Sequence, residues 1–350
     1  MLPLLLASSK TVYSRQEPTA SLKEAARGRF LIGAAIRAEQ LNRSDASALI
    51  LKQFDCVTPE YEFMPMFLHP APDTFNFKAA DQIVAFAQAH ELKVTGHMLC
   101  WHQITPPWMF EDKNRKPLPK EQALANLKKH IDTVVKHFRG KLESWNVVNE
   151  AISDEPLEYL RDTPALRAIG PDYVQKAFEY AHEADPNVPL YYNDYNVEDP
   201  VKLPKVLRLL RSLRKAGVRL DGVGIQGHWL LNYPTAARID AGIEALAKEG
   251  LKVIVTELDV DVVPRSEASD PYKAGIPTDI LALEAKRYAS LFEVFLKHSE
   301  VIPRITFWGL EDGQSWLNTN PKKHTNYPLL FERNLNPKPA YDAVIKVLSR

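Results

Sequence analysis

The chain has 350 residues, 45% apolar and 25% charged, and its 44 lysines and arginines balance 44 aspartates and glutamates to a formal net charge of zero. That balance excludes the basic footprint with which a protein binds nucleic acid or an anionic membrane, and it suits a neutral substrate. Two cysteines, Cys56 and Cys100, are too few for a disulfide scaffold.

Met1-Leu2-Pro3-Leu4-Leu5-Leu6-Ala7-Ser8-Ser9 resembles the end of a signal peptide's apolar region, although it lacks a basic flank and is short. Residues 1–24 are therefore expected to form an N-terminal tail: a signal remnant, a flexible tail or a start-site artefact. The first of these implies a secreted or periplasmic protein; a cytoplasmic one is the alternative. No later stretch is apolar for long enough to span a bilayer.

From about residue 30, short apolar runs alternate with longer amphipathic segments. Strands are expected at 30–36, 55–58, 93–98, 143–149, 190–193, 222–226, 253–257 and 305–308. Helical spacing relates Leu124, Leu127, Ile131, Val134 and Val135. It also relates Val206, Leu207, Leu210 and Leu213, ahead of Gly217, where a left-handed cap is expected, and later Tyr288, Leu291, Phe292 and Phe295. Arg208, Arg211, Arg214 and Lys215 read as the solvated outer face of the second helix. Buried apolar strands alternating with helices specify a parallel sheet, and eight such units close most naturally into a (β/α)8 TIM barrel. No repeat or linker divides the chain, so residues 25–350 are expected to be one α/β barrel domain acting as a monomer. Cys56 and Cys100 fall on neighbouring strands, as two buried thiols or as one disulfide.

Active residues of such barrels gather at the carboxyl ends of the strands. Here those ends hold Glu60, His97, Asn149-Glu150, Asn193-Asp194, Gln226 with His228, Glu257 with Asp259, and Trp308. So many polar groups at one mouth are costly unless they bind something. Glu150 and Glu257 close strands four and seven, far enough apart around the ring to face one another. Two carboxylates so placed suit glycoside hydrolysis, at about 5–5.5 Å for retention and about 6.5–9.5 Å for inversion. Asn149 is placed to bond a sugar hydroxyl, His228 to orient Glu257, and Asp259 to hold His228. Trp101, Trp108, Trp308 and Trp316 fall on strand ends or the loops beyond them, like the flat walls of a sugar cleft.

No metal is expected, because His97 and His102 do not share a face and no His-Glu-x-x-His sequence occurs. No nucleotide cofactor is expected either, since a glycine-rich fingerprint and a P-loop are both missing.

Trp145-Asn146-Val147-Val148-Asn149-Glu150-Ala151 and Val255-Thr256-Glu257-Leu258-Asp259-Val260 resemble the acid/base and nucleophile strands of glycoside hydrolase family 10, the endo-β-1,4-xylanases. Gly96-His97-Met98-Leu99-Cys100-Trp101-His102, Asn193-Asp194-Tyr195-Asn196, Gly224-Ile225-Gln226-Gly227-His228 and Thr306-Phe307-Trp308-Gly309-Leu310 are similar to further strands, in register from about residue 25 to 350. The resemblance implies a retaining hydrolase of β-1,4-linked xylan or xylo-oligosaccharides, with Glu150 as acid/base and Glu257 as nucleophile. It implies that His97, Trp101, Asn149 and Trp308 hold the sugar at the cleavage point. Gln226 and His228 would organise the carboxylates, and Tyr195 and Trp316 would line neighbouring sites. The charge on Glu257 is expected to raise the pKa of Glu150.

One segment departs from the pattern. The family shows Thr-Pro-Glu-Asn-Glu-Met-Lys-Trp after strand two, where this chain has Thr58-Pro59-Glu60-Tyr61-Glu62-Phe63-Met64-Pro65. Glu60 is kept, but Tyr61 and Met64 replace an asparagine and a lysine that bond the sugar on the non-reducing side. Leu317 likewise stands where the family often has arginine. The substitutions read either as drift or as a more apolar subsite for another sugar, a decorated unit or a non-sugar group. Two alternatives follow: a glycosidase or transglycosylase of altered specificity on decorated oligosaccharides or small glycoconjugates, and a carbohydrate-binding barrel without turnover.

Overall fold

The computed structural model describes residues 20–264, 267–319 and 323–350. The signal-like stretch of the expected tail lies outside them. Among the described residues nine strands form: β1 (Leu31–Ile36), β2 (Cys56–Pro59), β3 (Lys93–Trp101), β4 (Ser144–Asn149), β5 (Leu190–Asp194), β6 (Gly222–Ile225), β7 (His228–Leu230), β8 (Lys252–Asp261) and β9 (Arg304–Phe307). All their pairings are parallel. The order runs from β6 back through β1, then to β9, β8 and β7, and a β6–β8 pairing closes the ring. Because β7 pairs only with the far end of β8, the ring has the eight positions expected.

The strands are buried almost throughout, which is why their sequences are continuous apolar runs rather than alternations. Several boundaries differ from the sequence reading. β3 runs on to Trp101 and β8 to Asp261, so Trp101 and Asp259 belong to the strands themselves. The sixth run is broken. The chain leaves the ring at Gln226, turns at Gly227 with φ 85°, and resumes as β7. A side chain there would be strained by that φ and pressed to 3.2 Å from Val255 Cγ1.

Outside the ring, the helix Leu203–Lys215 buries Val206, Leu209, Leu210 and Leu213 and is followed by Gly217 at φ 74°. Its basic face is turned outward: Arg211 pairs with Glu249 at 2.6 Å, and the Arg208 guanidinium lies 4.1 Å from the centre of the Tyr159 ring. The helix Lys120–His137 buries Leu127, Ile131, Val134 and Val135, and Thr278–Lys297 buries Tyr288, Leu291, Phe292 and Phe295. Each such side chain contributes about 1.5–3 kcal/mol. Cys56 and Cys100 are free and buried, and burial pushes both thiols up to about 12.

The first and last strands are neighbours in the ring, with Leu31 opposite Arg304. Below them the helix Leu22–Ala26 opens on a Ser21–Glu24 capping box, and Tyr341 Oη donates to the Ala20 carbonyl at 3.3 Å. Lys338, wholly buried, binds Glu284 Oε1 at 2.8 Å, Asp312 at 3.2 Å and the carbonyls of Tyr327 and Leu329 at 2.7 Å each. It fastens the last helix, Pro339–Leu348, to the helix Thr278–Lys297 and to the loop beyond β9.

Candidate active site

A cavity of about 400 Å³ opens at the carboxyl ends of the strands. Its lining includes Glu60, Tyr61 and Met64 beyond β2, His97 and Trp101 from β3, and Asn149 and Glu150 from β4. Tyr195 follows from beyond β5, with Gln226 and His228 from the broken sixth position, Glu257 from β8, and Trp308 and Trp316 from beyond β9. These sequence-selected residues are thus gathered at one place, and Asp259 stands directly behind His228. Trp108 is the exception among the four tryptophans. It turns away from the cavity, donates its indole N–H to the Pro70 carbonyl at 3.1 Å and packs edge-on against His69. The aromatic signal that selected it reflects packing. Leu317 is buried and also lies outside the cavity lining.

Glu257 is held on both oxygens. Asn193 Nδ2 donates to Oε1 at 2.7 Å, and His228 Nε2 lies 3.2 Å from Oε2. The other face of His228 meets Asp259 Oδ2 at 2.9 Å, and the Trp316 indole donates to that same oxygen at 2.8 Å. Burial opposes charge on His228, but Asp259 and Glu257 on either side outweigh it and raise the imidazole to about 10. His97 is also buried, which lowers its pKa; Asn146 Nδ2 sits 3.0 Å from its Nδ1, and its Nε2 is 3.9 Å from Glu257. Burial alone would raise Glu257. His97, His228 and Asn193 reverse that and hold it below the usual carboxylate range.

Glu150 is displaced the other way, up to about 7. Burial is the main cause, with the negative charge of Asp194 next, while the hydrogen bond from Gln226 holds part of the rise back. Glu257 raises it too, as expected, but contributes least of these. Gln226 Nε2 donates to Glu150 Oε1 at 3.0 Å and to Asn149 Oδ1 at 3.2 Å, and Asn193 Nδ2 reaches that same Asn149 oxygen at 2.9 Å. One chain of amides therefore runs from Glu257 through Asn193, Asn149 and Gln226 to Glu150. Thr256 Oγ1 fixes its middle by donating to Asn193 Oδ1 at 2.7 Å.

At the β2 side, Arg37 grips Glu60 with two bonds, Nε to Oε2 at 2.8 Å and Nη2 to Oε1 at 3.0 Å. The same guanidinium reaches Tyr61 Oη at 3.4 Å, lies 4.9 Å from the centre of its ring, and meets the Gln314 carbonyl at 3.2 Å. Tyr195 is held by Arg161 Nη2 at 2.6 Å and lies beneath Lys202, whose Nζ is 3.7 Å from the ring centre. Lys202 is itself buried between Asp194 at 2.7 Å and Asp154 at 2.9 Å.

Gln103, Ile104 and Asn196 also line the cavity, and Arg37, Thr256 and Lys202 brace it without having been selected from sequence. In the sequence Asn193 reads as a strand-end group and as part of the Asn193-Asp194-Tyr195-Asn196 motif, without a role of its own. Its position on β5, two residues before Tyr195, was the available signal; nothing comparable marks Arg37 or Lys202 among 44 basic residues.

The family model described as glycosyl hydrolase family 10 matches residues 21–347. The chain is 40% identical to a beta-1,4-xylanase of Dictyoglomus thermophilum over 93% of this chain and 90% of that protein. It is 40% identical to endo-1,4-beta-xylanase B of Paenibacillus barcinonensis over 90% and 95%. Among solved structures, xylanase XynB of Paenibacillus barcinonensis, complexed with a conduramine derivative, superposes with a TM-score of 0.90 at 38% identity, over 94% of this chain and 99% of that one. An endo-1,4-beta-xylanase of Caldicellulosiruptor owensensis does so with a TM-score of 0.88 at 35% identity, over 93% and 99%.

Proposed function

The chain belongs to glycosyl hydrolase family 10, and on that premise we propose that Glu257 and Glu150 cleave the β-1,4 bonds of xylan by double displacement. The activity is that of an endo-1,4-β-xylanase, a retaining glycoside hydrolase. The observation that carries the assignment of roles is the opposite displacement of two carboxyls in one cavity: Glu257 held down, Glu150 raised to about 7. The lowered group is the anion ready to attack; the raised one still holds a proton near neutrality.

In the first step Glu257 attacks the anomeric carbon as the glycosidic C–O bond breaks, and the leaving oxygen takes the proton of Glu150. In the second step Glu150, now a carboxylate, takes a proton from water. That water displaces Glu257 and restores the starting configuration. Asn149, held at its carbonyl by Asn193 and Gln226, gives one amide hydrogen to Glu150 Oε1 at 3.4 Å and has the other for the sugar hydroxyl beside the reacting carbon. Trp308 and Trp101 form flat walls against the ring.

A binding barrel without turnover is not favoured, because both carboxylates and their opposite displacements are retained. The deciding experiment is hydrolysis of an aryl β-xylobioside by the parent and by Glu257→Ala. Turnover that disappears in the variant is expected; equal turnover in both would remove Glu257 from the chemistry.

A further inference from the structure

On the β2 side the cleft wall carries an apolar pair, Met64 and Ile104, beside the polar ends of Glu60, Tyr61 and Gln103. Met64 is 5% exposed and faces the cavity beside Tyr61 and Ile104. The loop bearing Ile104 is tied to this segment, since Met66 N–H donates to the Ile104 carbonyl at 3.1 Å. Beyond the rim the apolar surface continues in the open: Met66 is 37% and Phe67 48% exposed, and the Phe67 ring lies 6.1 Å from that of Tyr61. Apolar side chains left exposed in line with a cleft extend the surface it offers to a ligand.

The nearby cation is not free to take an acidic substituent. Arg37 spends its donors on the Glu60 carboxylate, Tyr61 Oη and the Gln314 carbonyl, and Glu39 lies 3.9 Å from Nη1. The Met64 thioether is a weak acceptor and the sec-butyl side chain of Ile104 has no polar atom, so a bare sugar hydroxyl set against that pair lacks a good partner, which costs free energy. An ester removes that hydroxyl's donor, and an aromatic acyl group gains by covering methionine and phenylalanine.

The geometry points to a subsite on the non-reducing side built for a sugar that carries an aromatic acyl ester, its ring laid across Met64 and Ile104 toward Phe67. This rests on the catalytic assignment above and on the direction of the chain that the family resemblance gives to Tyr61 and Met64.

The test uses two aryl β-xylobiosides, identical except that the distal xylose is bare in one and carries a hydroxycinnamoyl ester in the other. The expected kcat/KM is about tenfold higher for the acylated substrate. Phe67→Ala and Met64→Lys should each shrink that ratio several-fold, mainly through KM. A ratio at or below one in the parent overturns the inference, as does a ratio that both variants leave unchanged. An equal gain from an acetyl ester also overturns it, because the aromatic ring would then not be read. The two readings fail separately. Turnover of the bare substrate that depends on Glu257, with no acyl preference, sinks only the subsite, whereas turnover indifferent to Glu257→Ala sinks the catalytic assignment.

Discussion

Glu150 carries its side chain on a backbone with φ 57°, a left-handed conformation that costs a non-glycine residue about 1–3 kcal/mol. The surroundings leave it no alternative. Its N–H donates to the Asn193 carbonyl at 2.9 Å, its own carbonyl accepts from Arg161 Nε at 3.2 Å, and the next two N–H groups both donate to Tyr192 Oη. Aimed in this way and raised to about 7, Glu150 should set the alkaline limb of the rate profile. It must be protonated to act, so activity falls as pH rises through about 7. Glu257 must be ionised, so the acid limb lies below the usual carboxylate range. Glu150→Ala should lower kcat on xylan by about 10²–10⁴, spare the first step on aryl glycosides with good leaving groups, and erase the alkaline limb. Steady-state profiles on both substrate types check this, and an alkaline limb that survives the substitution would assign it to another group.

At the scale of strands, the site depends on β5 standing between β4 and the sixth position, so that Asn193 can reach across the mouth to Glu257 on β8. Asn193→Ala removes a bond to a charged oxygen, worth about 1.5–3 kcal/mol, or roughly ten- to a hundredfold in rate. It should also move the acid limb to higher pH, because Glu257 loses a donor that favours its ionised form. An unmoved limb beside a lowered rate would mean that Asn193 acts only by filling space. Glu150 and Glu257 could be read from sequence because ionisable groups that close apolar strands stand out against their neighbours. Asn193 was visible as a position but not as a link, since its partners lie 44 and 64 residues away. Trp108 misled because an indole looks the same in sequence whether it faces a sugar or a histidine. The break between β6 and β7 was hidden because Gly227 marks a turn only once its φ is known.

For the molecule as a whole, the barrel was legible because each strand announces itself locally, whereas what holds the far end together was not. Lys338, Glu284 and Asp312 come from three separate segments, and only the fold makes them a cluster. Burial raises Glu284 to about 8 and Asp312 to about 6, against the pull of Lys338. Lys338→Met should therefore destabilise the protein by about 3–5 kcal/mol near neutral pH. The loss should be larger at pH 8 than at pH 5. Below the raised values both carboxyls go neutral in the fold, while at pH 8 the unfolded chain gains by ionising them. Thermal unfolding at the two pH values checks this, and equal losses would show that Lys338 is not balancing those acids. The seam between β1 and β9 also has a consequence in time. During synthesis β1 is among the first strands to leave the ribosome, yet the neighbour that pairs with Leu31–Ala34 is the last to be made. Until then one side of β1 is an open sheet edge, which invites pairing with another nascent chain. For this fold, the hazardous interval in the cell lasts as long as translation of the stretch from Ile36 to Arg304.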